Sequence, residues 1–108
     1  MQDYFYDKDM SKYRAKFAEL KGDAVDAFGQ FNNKVFNEGV LSLREKELIA
    51  VASAHITRCP YCIDRHTRMA KEAGATDEEI AESILVAAAM SAGASMAHAS
   101  LSMRSLSE

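Results

Sequence analysis

One proline interrupts this chain, and it fixes where two helices must part. Proline disfavours helix at the residue before it and suits the first turn of a new helix. Pro60 follows the apolar stretch "LREKELIAVASAHIT" and precedes "YCIDRHTRMAKEAG". The sequence therefore predicts a third helix ending at Arg58-Cys59. A fourth should run from Cys59–Pro60 to about Ala73, with Gly74 as its C-cap. The third helix opens on a capping box, Ser42 followed three residues later by Glu45. From Leu48 to Ile56 it is apolar nearly all round apart from Ser53 and His55, which predicts a central, buried position.

The flanking segments are helical too. Tyr13, Phe17 and Leu20 fall at helical spacing before a stop at Gly22. Asp23 is placed to cap a second helix carrying Val25, Phe28, Phe31, Val35 and Phe36, which ends at Asn37–Gly39. Thr76 and Glu79 make a second capping box and open the last long helix. No window alternates like a strand, and there is no repeat, low-complexity tract or linker. The expectation is an all-α chain of about five helices, one domain over residues 1–108. With 48% hydrophobic residues it can bury a modest core without staples. A chain of this length buries about two-thirds of its unfolded surface.

Charge and termini narrow the function classes. The net charge is −3, with bases interleaved among acids, so the basic face of a nucleic-acid binder is missing. "MQDYFYDKDM" lacks the apolar core of a secretory signal. The most apolar run, Ile84 to Ala97, is rich in Ala, Ser and Gly. It falls short of the roughly 20 strongly apolar residues of a membrane span. It reads as a core or interface helix, with no membrane partner expected. Two cysteines and no signal point to a reducing cytoplasm, where a cysteine pair suggests catalysis or metal binding. Ala87 to Ala89, Ser91 to Ser95, Ala97, Ala99 and Ser100 are all small, which lets another helix approach closely. In so short a chain that helix can belong to another subunit, giving a homo-oligomer; a tightly packed monomer core is the alternative.

The chemistry gathers at the break. Cys59 and Cys62 share one face of the fourth helix, with sulfurs near enough to join. His66 lies one turn beyond Cys62 on that face. A helix N-terminus favours a thiolate, and an imidazole can take the thiol proton. This makes Cys62 the candidate attacking thiolate and Cys59 its resolving partner. Glu47 can meet His66 if the third and fourth helices are antiparallel, where a carboxylate would orient the ring. Spacing alone favours an exposed glutamate in the charged run Glu45-Lys46-Glu47. Zinc is the competing reading, with Cys59, Cys62 and His66 as ligands and His55 or His98 as a fourth. The adequate core and the lack of further cysteines argue against it, so no metal or cofactor is expected. His55 reads as a satisfied core histidine. His98 could line the thiol pocket or bond across a subunit contact.

The stretch "EKELIAVASAHITRCPYCIDRHTRMAKEAGA" resembles the core of the carboxymuconolactone decarboxylase superfamily, in its alkylhydroperoxidase D-like branch. The branch pattern is a glutamate twelve residues before Cys-x-x-Cys, then a histidine four after the second cysteine; Glu47, Cys59, Cys62 and His66 stand at those separations. The likeness covers roughly Phe36 to Ser100, including the small residues and late histidine of the last helix. One departure is Tyr61, where the branch often has a histidine. The resemblance implies an all-helical antioxidant enzyme, hexameric or trimeric. It implies that Cys62 attacks a peroxide, Cys59 closes a disulfide, and His66 and Glu47 relay protons. A dithiol protein or small thiol would then reduce the pair. The namesake decarboxylases generally lack the cysteine pair. A metal-binding or redox-sensing module without turnover, and a non-redox decarboxylase-like enzyme, remain the alternatives.

Overall fold

Two capping boxes and one proline partition the second part of the chain into three helices. The computed structural model describes residues 10–108. The opening segment, residues 1–9, lies outside the described residues, as does the reading of it as lacking a signal. The helices are α1 (Ser11–Leu20), α2 (Gly22–Val35), α3 (Leu43–Thr57), α4 (Pro60–Glu72) and α5 (Asp77–Ser107). No strand occurs among the described residues, so the fold is all-α as the sequence predicts.

The chain divides into two units, Met1–Gly39 and Val40–Glu108. In the first, α1 and α2 contact each other across a break at Lys21. Gly22 begins α2 rather than ending α1, and Asp23 sits inside the first turn with Oδ1 accepting the Ala24 amide at 2.8 Å. The predicted apolar stripe of α2 is open in a single chain: Phe28, Phe31 and Val35 are all exposed.

In the second unit α3 is central, with α4 and α5 both packed against it. The core is Val51, Ala70, Ala75 and Ile80, with Leu48 and Ile84 against it. The prediction that α3 is buried all round needs correction. Val51 and Ala54 are buried, but Ile49 and Ile56 are about half exposed, at 53% and 49%. Two partner helices cover only part of a helix's circumference, and these isoleucines lie on the part left open. The apolar run of α5 shows the same pattern. Ile80 and Ala87 are buried, whereas Leu85, Val86, Met90, Met96, Leu101 and Met103 are exposed. That run is not core. Among the described residues α5 is the one helix long and apolar enough to cross a membrane.

The N-termini of α3 and α5 are capped as the sequence predicts. Ser42 Oγ accepts the Glu45 amide and Glu45 returns to the Ser42 amide at 2.8 Å; Thr76 and Glu79 do the same, with a return bond of 2.9 Å. These backbone amides hold both glutamates below the ordinary value of 4.5, and the Lys71 ammonium holds Asp77 below 3.8. A carboxylate whose folded value is depressed stabilises above its unfolded value and loses that contribution as pH falls through the folded one. Helicity followed by circular dichroism should therefore decline as pH drops below about 4.5, the ordinary glutamate value. Ser42→Ala or Thr76→Ala should each destabilise by about 1 kcal/mol at neutral pH and soften that acid dependence.

α4 ends at Ala73, and Gly74 takes φ 98°, so the Ala75 amide reaches back to the Ala70 carbonyl at 2.9 Å. The other left-handed residue is Arg58, φ 59° and ψ 47°, between α3 and the Cys59 cap of α4. That conformation costs a residue with a Cβ about 1–2 kcal/mol.

Candidate active site

The α3–α4 junction is a single residue, Arg58, set between the end of α3 at Thr57 and the N-cap of α4 at Cys59. The Arg58 and Cys59 amides both return to the Ala54 carbonyl, the latter at 3.2 Å, which closes α3. Cys59 then caps α4, its Sγ accepting the Cys62 amide at 3.2 Å. Pro60 occupies the first helical position, where its missing N–H costs nothing. The cap brings Cys59 and Cys62 together, and they form a disulfide with a Cα–Cα distance of 5.3 Å. Both are half-buried. In the reduced pair, the amide and the positive end of α4 favour a thiolate at this position.

α4 folds back along α3, which carries His66 to the other end of its neighbour. There Glu47 and His66 meet, Nδ1 donating to Oε1 at 2.6 Å. The glutamate side chain is fully buried and the histidine ring 14% exposed. Glu47 is the one buried charged residue among those described. The carboxylate accepts, so Nδ1 carries the ring proton and Nε2 is the nitrogen with base character. Glu47 Oε2 is buried with no hydrogen-bond partner.

The structure thus joins Cys59 to Cys62 and Glu47 to His66, with His66 one turn beyond Cys62 on α4. It does not add the other histidines. His55 donates Nδ1–H to the Val51 carbonyl at 2.8 Å and is satisfied within α3. His98 bonds the Ala94 carbonyl at 2.7 Å on an exposed stretch of α5. Among the described residues no group of three or more His, Cys, Asp or Glu is placed to hold a metal ion. The sequence reading missed Arg44, whose guanidinium meets Glu79 at 2.5 Å and ties the start of α3 to the capping box of α5. It also missed the left-handed Arg58, a position where a glycine is the usual signal.

An all-α unit with a cysteine pair capping one helix and a buried carboxylate–imidazole pair beside it defines a thiol-bearing helical domain. The chain belongs to the carboxymuconolactone decarboxylase family, whose pattern it matches over residues 22–104. It is similar to "uncharacterized protein 4 in cox locus" of Paracoccus denitrificans, 51% identical over 83 residues, 77% of this chain and 75% of that one. It is also similar to a protein of known crystal structure from Methanobacterium thermoautotrophicum, 42% identical with a TM-score of 0.75. That likeness covers 79% of this chain and 96% of that protein.

Proposed function

We propose that the protein is a thiol-dependent peroxidase of the alkylhydroperoxidase D-like kind, or a disulfide reductase serving one, that cycles Cys59 and Cys62. The observation that carries this reading is the cysteine pair at the start of α4 on the same helix as the Glu47-bonded His66. In the cycle, the Cys62 thiolate attacks the distal peroxide oxygen. The O–O bond breaks, the alcohol leaves with a proton, and Cys62 becomes a sulfenic acid. Cys59 attacks that sulfur, water is released, and the disulfide forms. Glu47 fixes the tautomer and orientation of His66, which takes the thiol proton and returns it to the departing oxygen. Two electrons from a dithiol protein or small thiol restore the pair.

The test is a redox titration of the pair against thiol buffers. A potential within roughly −200 to −300 mV, the range of cytosolic dithiol couples, is the expected result. A much lower potential would make the bond structural and end the proposal.

The same reading places the protein in a reducing cytoplasm and gives its partner as further copies of this chain, as a trimer or hexamer. The uncharged run from Ser83 to Met103 and the exposed Leu85, Val86, Met90 and Leu101 support this, since small and apolar side chains suit close helix contact. Light scattering should return a mass several times the 11.9 kDa of one chain. A stable monomer at micromolar concentration would refute assembly, and a need for detergent would indicate a membrane instead.

A further inference from the structure

We propose that Arg58 and Arg65 dock the carboxylate of a small acidic thiol, the reductant, onto the Cys59–Cys62 disulfide. The inference rests on the redox reading above and adds the chemical class of the reductant. Its basis is a pattern in which cations are neutralised and which are not. On α4, Arg68 Nε is held by both oxygens of Asp64 at 3.1 and 3.2 Å, and Lys71 by Asp77 at 2.8 Å. The two arginines nearest the cysteines have no such partner among the described residues. Both are exposed. Arg58 immediately precedes Cys59, and Arg65 stands three residues beyond Cys62, the spacing of helix-surface neighbours. Two guanidiniums with no ion-pair partner among the described residues therefore flank the half-exposed disulfide along the chain.

The backbone supplies an independent observation. Arg58 is the one non-glycine residue with positive φ among those described. Glycine would make the same turn without steric penalty. That turn closes α3 on the Ala54 carbonyl. It also sets an arginine immediately before Cys59 in the chain. Guanidinium is the planar donor that matches a carboxylate with two parallel bonds. The disulfide is the form a reductant meets, and in that form neither arginine has an ion-pair partner among the described residues.

One thiolate, held by its carboxylate, bonds to the Cys59 sulfur; the S–S bond breaks and the electron pair leaves on Cys62, which is protonated. A second thiolate attacks the mixed disulfide, giving the thiol's own disulfide and the Cys59 thiolate. Two thiols are oxidised and the protein disulfide is reduced.

The test measures reduction of the oxidised full-length protein by 3-mercaptopropionate, 2-mercaptoethanol and cysteamine, compared at equal thiolate concentration. At low ionic strength the anionic thiol should exceed the cationic one by about tenfold, and salt should compress the difference. The Arg58→Gln/Arg65→Gln protein should lose the charge preference, the ratio of the anionic to the cationic thiol rate falling to about one, while Arg58→Lys keeps most of it. Equal rates for all three thiols in the wild type, or a preference that survives the double substitution, overturns the proposal. A protein reduced with this preference that consumes no peroxide upholds the docking site and defeats the peroxidase reading alone.

Discussion

Cys62→Ser is expected to end peroxide consumption, and Cys59→Ser to leave a sulfenic acid on Cys62 that a dimedone-type reagent traps. The asymmetry follows from the proposed roles. Only the residue that attacks the O–O bond is needed for the first step, and only its partner is needed to close the disulfide. Loss of a nucleophile removes the covalent route altogether, so the rate should fall by roughly three orders of magnitude or more. The resolving variant should turn over once and stop, which a single-turnover assay would show as a burst. The hydrogen bond from the Cys62 amide to Cys59 Sγ makes the experiment discriminating. That bond favours a thiolate on Cys59, whereas His66 lies a turn from Cys62. If Cys59→Ser were dead from the first turnover and Cys62→Ser were trapped, the two roles would be exchanged. Turnover of a small organic acid in a protein lacking both cysteines would move the chemistry to Glu47 and His66 as acid and base.

Glu47→Gln is the second large effect. Glutamine keeps an oxygen for the His66 Nδ1–H and removes the charge. The ring should hold its place while the imidazole loses its ability to be stabilised as a cation. General-base assistance is worth about 10²–10⁴-fold, and a drop of about 10²-fold in peroxide consumption at neutral pH is the expected result. Glu47→Ala adds a structural penalty. It leaves a mostly buried imidazole without the Glu47 carboxylate, which should cost roughly 1–3 kcal/mol in urea unfolding. Comparing the two variants separates charge from position. A Glu47→Gln protein with the wild-type rate across the pH range would show that the carboxylate only positions the ring.

Glu47 also shows where sequence reading stops. It stands in a charged run, Glu45-Lys46-Glu47, that reads like ordinary solvated surface. Its burial depends on α4 folding back along α3, a tertiary fact that no local pattern carries. The neighbouring Glu45 was legible because a capping box is a local device with a fixed spacing, and both boxes occur where expected. The break at Pro60, the glycine turn after α4 and the all-α class were legible for the same reason. The burial of Ile49 and Ile56 was misread because periodicity reports which residues are apolar, not which partner covers them. Arg58 gave no signal at all, since arginine has no preference for the left-handed turn it makes.

The one-residue junction also bears on how the family can vary. A residue added to an α-helix turns everything beyond it by about 100°. With Arg58 alone between α3 and α4, an insertion there would swing His66 off Glu47 and reorient the cysteine cap together. A deletion would merge or break the two helices. The junction therefore works as a length gauge for the site: substitutions in it can be absorbed, but changes in length cannot. Among relatives that keep the glutamate, the cysteine pair and the histidine, the separation between them should be as fixed as the residues themselves, with insertions gathered at the looser connection after Val35.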